Sequence, residues 1–362
     1  MKSEDKQFLQ DLIEHPSPSG YEQPVAEVLR NRLAKSADSV ETNEMGSVHG
    51  TLKGSGEAPS VIVAAHIDEI GFMVSYIDDD GFIYFKAVGG IDAAILPGLR
   101  VDLYATGSGK TEKIRGVLGR KPIHLLPPEE RKDVTPIDKL HIDLMLDKEE
   151  VKKRVRIGDI ATFGVGFEES EGGLAVSRAF DDKSCVWVGT RVLEELKKLG
   201  KQKADYTFAG TVQEEIGLRG GQTSGYAVDA DVNIAIDVTH ATDYPGIEKS
   251  KYGDIKLGAG PVISRGPNIN PVLFDRLVAA AEKAQVPYQI EAQSRGTGTD
   301  ANAMQLNRGG KATALLSVPL RYMHTPTEVI SLEDLENTVK LLTQFVVDLD
   351  ESCDFVPHIQ LI

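Results

Sequence analysis

Apolar, strand-like runs in this chain repeatedly end in acids or histidines, and this constrains the fold more than any other feature. His66-Ile67-Asp68 follows Val61-Ile62-Val63-Ala64-Ala65, and Glu214-Glu215 follows the run from Tyr206 to Val212. Asp237 follows Val232 to Ile236, and His324 lies just beyond the run from Leu315 to Tyr322. A further acid pair, Asp181-Asp182, opens an apolar helical stretch. Charge beside a core must be paired or bound to something, and adjacent carboxylates repel one another. A pair of divalent cations answers both demands. The order His-x-Asp, Asp, Glu-Glu, Asp, His is the one a dinuclear metallohydrolase needs.

Taken singly, each patch has an ordinary explanation. Acids at a helix start complement its dipole. A Glu-Glu pair is common on a solvated face, Asp237 could close a strand in a turn, and a lone histidine is more often a core or surface residue than a ligand. The joint occurrence in one order carries the inference.

Strands and helices alternate over most of the chain. Leu9, Leu12 and Ile13 share one helical face, and Val25, Val28, Leu29 and Leu33 another. Helices over 186–199, 271–285 and 332–349 alternate with strands over 206–212, 232–237, 288–293 and 312–318. The class is therefore α/β, a mixed sheet sandwiched by helices. The texture changes near residue 70, where short strands flank the hairpin signal Asp78-Asp79-Asp80-Gly81 and little helix follows. The expected organisation is a discontinuous catalytic domain, residues 1–68 and 165–362, interrupted by a small β-rich, barrel-like domain at 69–164.

With 40 Lys+Arg against 55 Asp+Glu, the formal net charge is −15. That excludes a nucleic-acid or anionic-membrane partner, which needs basic patches. No apolar run approaches the length of a membrane span. The charged start Met1-Lys2-Ser3-Glu4-Asp5-Lys6 is not a signal peptide, so a cytoplasmic protein is expected. Two cysteines, Cys185 and Cys353, make no disulfide framework.

In an α/β sheet, sites form beyond the carboxyl ends of strands. Imidazole and carboxylate together suit Zn, Co or Mn better than Ca. In an extended chain His66 and Asp68 point the same way, so one can bind metal while the other orients it. Of Glu214 and Glu215 only one is expected to reach the metal, which leaves the other free as a general base. Gly107-Ser108-Gly109-Lys110-Thr111 mimics the end of a phosphate-binding loop, but Tyr104 stands where that motif needs glycine, so a hairpin turn is expected. Cys185 has no neighbouring histidine in sequence, which argues against a thiol nucleophile. A glycoside hydrolase using two carboxylates would leave His66 and His324 unexplained. The same residues also suit a metallo-deacetylase or carboxypeptidase built on the same metal core. A non-catalytic scaffold that keeps the fold would show an incomplete ligand set, and no ligand type is missing here.

Seven segments together resemble the M42 family of dinuclear metallo-aminopeptidases, over nearly the whole chain. They are Pro18-Ser19-Gly20-Tyr21-Glu22, the segment from Ala65 to Phe72, Arg178-Ala179-Phe180-Asp181-Asp182-Lys183, the segment from Val212 to Gly220, Asp237-Val238-Thr239, Gly298-Thr299-Asp300-Ala301, and the segment from Arg321 to Pro326. The resemblance implies two divalent ions per subunit, Zn or Co first and Mn as a third option. It implies His66, Asp181 and Asp237 as ligands of one ion and Asp181, Glu215 and His324 as ligands of the other. Glu214 is the implied base toward a bridging water, with Asp68 supporting it and His66. The implied substrates are peptides with a free N-terminus. The insert is implied to be a dimerisation domain, and the assembly a dodecamer of six dimers. Lys183 departs from the arginine that often follows the acid pair, losing a bidentate fork but keeping the charge. Asp182 receives no chemical role beyond holding the turn that aims Asp181. Arg295, near Gly298-Thr299-Asp300, could meet an acidic side chain of a substrate, but a surface salt bridge is the favoured expectation.

Overall fold

A computed structural model describes residues 1–357; the tail of the expected 165–362 segment, residues 358–362, lies outside them. The chain opens with helices α1 (Ser3–Glu14) and α2 (Gln23–Leu33), then strands β1 (Ser39–Thr42), β2 (Val48–Leu52) and β3 (Val61–His66). Next come β4 (Gly71–Ile77), β5 (Ile83–Val88), β6 (Arg100–Ala105), β7 (Glu112–Gly119), β8 (His141–Asp143), α3 (Lys148–Arg154) and β9 (Ile160–Phe163). The alternation resumes with β10 (Glu168–Glu169), β11 (Leu174–Ser177), α4 (Phe180–Leu199), β12 (Tyr206–Thr211), α5 (Arg219–Val228) and β13 (Val232–His240). The chain ends through α6 (Lys249–Tyr252), β14 (Val262–Arg265), α7 (Pro271–Lys283), β15 (Gln289–Ala292), α8 (Asp300–Gln305), β16 (Ala312–Arg321), β17 (Glu328–Ser331) and α9 (Leu332–Val347).

An 11-stranded mixed sheet runs in the order β1-β2-β12-β3-β13-β16-β17-β11-β10, with β14 and β15 attached beside β16. Its centre is parallel: β12 pairs with β3, β3 with β13, and β13 with β16. Such strands are covered on both faces and read as continuous apolar runs, which is why β3 is buried at every position. Its alternate residues serve two cores. Val61, Val63 and Ala65 pack with residues of α1, α2, α4, α7 and α9, while Ile62 and Ala64 pack with Met304 of α8. At Gly189, α4 comes so close to β12 that an added Cβ would lie 2.0 Å from Cε2 of Phe208.

Strands β4 to β9 close a barrel in the order β4-β5-β8-β7-β6-β9. Its interior holds Phe72, edge-on to Phe85 at 5.0 Å and to Phe163 at 5.3 Å between centroids. Gly107-Ser108-Gly109-Lys110-Thr111 forms the turn between β6 and β7, as expected. No helix among the described residues is long and apolar enough to cross a membrane.

Two expectations need correction. Asp237 does not end its strand: β13 continues to His240, in register with Leu320 of β16. It is exposed to the site because β3 stops pairing with β13 at Ala235. The helix bounds expected at 186–199 are too short: α4 begins at Phe180, so the acid pair does stand at a helix start, although Asp181 and Asp182 keep non-helical backbone angles and are joined by a cis peptide.

Candidate functional site

The carboxyl ends of the parallel strands open onto a cavity of about 290 Å³ lined by His66, Asp181, Glu214, Glu215, Asp237 and His324, among others. His66 is the last residue of β3. Glu214 and Glu215 sit in the loop after β12, where the amides of Gly217 and Leu218 donate to the Glu214 carbonyl at 2.9 Å. Asp181 comes from the start of α4. His324 lies in the turn between β16 and β17 with φ of 60°, and its amide donates to Glu328 Oε1 at 3.0 Å.

Asp181 stands at the centre. Its Oδ1 is 3.1 Å from His66 Nε2, and its Oδ2 is 3.3 Å from His324 Nε2. Glu215 Oε1 is also 3.3 Å from His324 Nε2. Possible ligand atoms of His66, Asp181 and Glu215 lie within 4.8 Å of one another, as do those of His66, Asp182 and Asp237. Both imidazoles are oriented from behind. Nδ1–H of His66 donates to the Asp68 carbonyl at 3.1 Å, and Nδ1–H of His324 donates to the Gly90 carbonyl at 2.9 Å. Each ring thus turns Nε2 into the cavity, the arrangement a metal-binding histidine uses.

Asp68, fully buried, holds the acid pair through its backbone. Its Oδ1 accepts from the Glu214 amide at 3.0 Å, and its Oδ2 from the Glu215 amide at 3.2 Å and the Ser19 hydroxyl at 2.7 Å. Glu214 Oε2 points toward His66 Nε2 at 3.9 Å.

The electrostatics fit a cation. Burial pushes the Glu214 carboxyl up to about 10, and the nearby Asp237, Asp300 and Glu215 push the same way against His66. Burial drives Asp237 well up, with Asp181 adding to it against His66, and it raises Glu215 against the His324 hydrogen bond. Burial opposes charge on His324, but hydrogen bonds to Asp181 and Glu215 outweigh it and hold the ring up to about 11. Two imidazolium protons offset only part of so much crowded negative charge. Oδ1 of buried Asp182, a residue within reach of His66 and Asp237, also has no hydrogen-bond partner. The donor set of imidazole and carboxylate suits Zn, Co or Mn. The residues therefore fit a metal centre.

The structure brings together all seven residues singled out from the sequence. It also gives Asp182 a place that sequence reasoning did not: its Oδ2 accepts from the His66 amide at 3.2 Å, and it neighbours Asp237. Glu328 was missed. It is buried and accepts from the amides of Asp181 at 3.1 Å and His324 at 3.0 Å, tying together two distant stretches of chain. Its position after Thr325-Pro326-Thr327 was the only signal. Glu69 was also missed: it accepts from Lys183 Nζ at 2.8 Å and pairs with Arg178. Lys183 donates to the His15 carbonyl at 2.8 Å as well, which gives this lysine a structural task. Arg295, expected in a surface salt bridge, forms none among the described residues and does not line the cavity.

Comparison with known proteins agrees with this geometry. The family model for M42 glutamyl aminopeptidase matches residues 46–341. The lysyl aminopeptidase of Pyrococcus furiosus is 37% identical over 98% of this chain and 99% of its own length. The TET aminopeptidase of a marine sediment archaeon, Thaumarchaeota archaeon SCGC AB-539-E09, superposes with a TM-score of 0.90 at 32% identity, covering 96% of this chain and 97% of that one. The TET1 peptidase of Pyrococcus horikoshii, which can assemble into a tetrahedron or a large octahedral shell, superposes with a TM-score of 0.83 at 31% identity over 95% of this chain and all of that one. The chain belongs to the M42 family of aminopeptidases.

Proposed function

We propose that this chain is a metal-dependent aminopeptidase that removes N-terminal residues from peptides with a free N-terminus. The observation that carries the reading is the convergence of two cavity-facing imidazoles and the carboxylates of Glu214, Glu215 and Asp237 around Asp181. His66, Asp181 and Asp237 would hold one divalent ion, and Asp181, Glu215 and His324 a second, with Zn or Co preferred and Mn a third option. When bound, the ions supply Lewis acidity that acidifies water and polarises the scissile carbonyl. Glu214 takes the proton of the attacking water and returns it to the leaving amine. Asp68 fixes that base through the Glu214 amide and orients His66 through its own carbonyl.

Residues 1–68 and 165–362 would form the catalytic domain, and 69–164 a dimerisation domain. The second assignment is supported by apolar side chains left exposed on the insert, with Tyr76 57%, Leu125 65% and Val134 56% accessible. A dimer on each edge of a tetrahedron makes six dimers, so the assembly would be a homododecamer, measurable by light scattering. A cytoplasmic location suits the two free thiols.

The test is Glu214→Gln in protein reconstituted with Zn, Co or Mn and offered a panel of aminoacyl substrates. Metal content should be retained and turnover should fall by about 10²–10⁴-fold. Near-normal turnover would remove Glu214 from the mechanism.

A further inference from the structure

The wall of the cavity beyond the metal centre carries a carboxylate that the mechanism does not use. Glu291, on β15, is half-buried and lines the cavity. Its two oxygens accept only from the Thr239 hydroxyl, at 3.2 and 3.1 Å. Among the described residues no lysine, arginine or histidine pairs with it. No lysine or arginine lines the cavity at all.

The position follows from strand geometry. Thr239 is two residues beyond Asp237 on β13, so both side chains leave the same face. They lie about 7 Å apart along the strand. Glu291 is thus a single residue's length beyond the metal centre, where the side chain of a substrate's first residue would lie once its amine and carbonyl are at the centre. A carboxylate there, satisfied only by one hydroxyl, has acceptor capacity left for a cation. An acidic side chain in the same place would meet like charge and no counter-ion.

From this we infer that Glu291 is a specificity-determining residue and selects peptides whose first residue is lysine or arginine, against those beginning with glutamate or aspartate. The inference rests on the aminopeptidase reading of the site.

The test compares kcat/KM of the metal-loaded enzyme for lysyl, leucyl and glutamyl p-nitroanilides, in the native chain and in Glu291→Gln and Glu291→Lys. Glutamine can still accept from Thr239, so the wall is preserved while the charge is removed. The native enzyme should favour the lysyl over the glutamyl substrate. In Glu291→Gln the lysyl-to-leucyl ratio should fall about 10- to 100-fold, the range for a hydrogen bond to a charged group. In Glu291→Lys the lysyl-to-glutamyl preference should invert. An active enzyme whose ratios do not move in either variant overturns the inference and leaves the aminopeptidase reading standing. A metal-loaded native enzyme that turns over none of the three substrates overturns both.

Discussion

Replacing Glu69 by glutamine tests how the barrel is anchored to the sheet beside the metal centre. Glu69 follows Asp68 directly, two residues before β4 begins, and is buried. Its Oε1 accepts from Lys183 Nζ at 2.8 Å, from the Ser17 amide at 3.0 Å and from the Ser17 hydroxyl at 3.3 Å, while Oε2 receives Arg178. The two cations are themselves 0% and 5% exposed. Their remaining donors reach the backbone carbonyls of His15, at 2.8 Å, and Ile13, at 2.6 Å. Burial works against ionisation of Glu69, but the charges of Arg178 and Lys183 outweigh it and hold the carboxyl below its ordinary range. Glutamine keeps the shape and one acceptor but leaves two positive charges without a counter-ion. Breaking a buried pair in this way costs about 3–5 kcal/mol. With an unfolding entropy near 2.1 cal/mol/K per residue, the 362-residue chain has about 0.76 kcal/mol/K in total, so Tm should fall by about 4–7 °C. Differential scanning calorimetry of the metal-loaded protein reads this directly. Adding Lys183→Met to Glu69→Gln should recover part of the loss, because one uncompensated charge goes with it. A fall of less than about 1 °C for Glu69→Gln, on the same entropy scale, would refute the claim that these charges are desolvated and mutually dependent.

Two further outcomes follow from packing and charge away from the site. Gly189→Ala places a methyl 2.0 Å from Cε2 and 2.2 Å from Cδ2 of buried Phe208; it should lower stability by about 1–3 kcal/mol despite alanine's better helix propensity, and Phe208→Leu in the same chain should restore part of that in a thermal melt. In the barrel, burial raises the Asp102 pKa, but Arg115 at 2.7 Å and Lys113 at 2.9 Å outweigh it and hold the carboxyl below its ordinary value. Its folded-state pKa is thus depressed, so the stability it contributes is present above the unfolded value of about 3.9 and is lost as pH falls through the folded one. Asp102→Asn should therefore destabilise by about 1–3 kcal/mol at pH 6 and progressively less toward pH 3, as followed by urea unfolding across that range.

Much of the fold was legible in the sequence, for identifiable reasons. Buried parallel strands such as β3 and β13 are unbroken apolar runs, and the long helices carry clean apolar faces. What was not legible depends on neighbours. The segment from Arg219 to Val228 contains Gly220, Gly221 and Gly225 and is assigned no element from the sequence, yet it is the helix α5. A Cβ at Gly220 would lie 2.4 Å from the Val212 backbone, so the glycines serve close packing at the expense of propensity. Strands β1, β2, β11 and β17 are short and partly polar, and pairing across the sheet makes them strands. At the site, ligand-type residues could be found because their chemistry is unusual beside apolar runs. Glu328 and Glu69 could not, because their importance lies in which backbone amides and cations surround them. Asp182 was visible, but its approach to His66 and Asp237 emerges only when β3 and β13 lie side by side.

The hydrogen bond from His324 Nδ1 to the Gly90 carbonyl joins a ligand-type residue of the sheet to a loop of the barrel. Excising the barrel and rejoining its ends would not yield a minimal enzyme, because the Gly90 carbonyl that holds the His324 ring from behind, through Nδ1, would go with it. Sequence drift is constrained in the same way. A substitution that shifts the loop after β5 by a fraction of an ångström is felt at an imidazole 234 residues away along the chain. The two parts of this molecule therefore evolve as one.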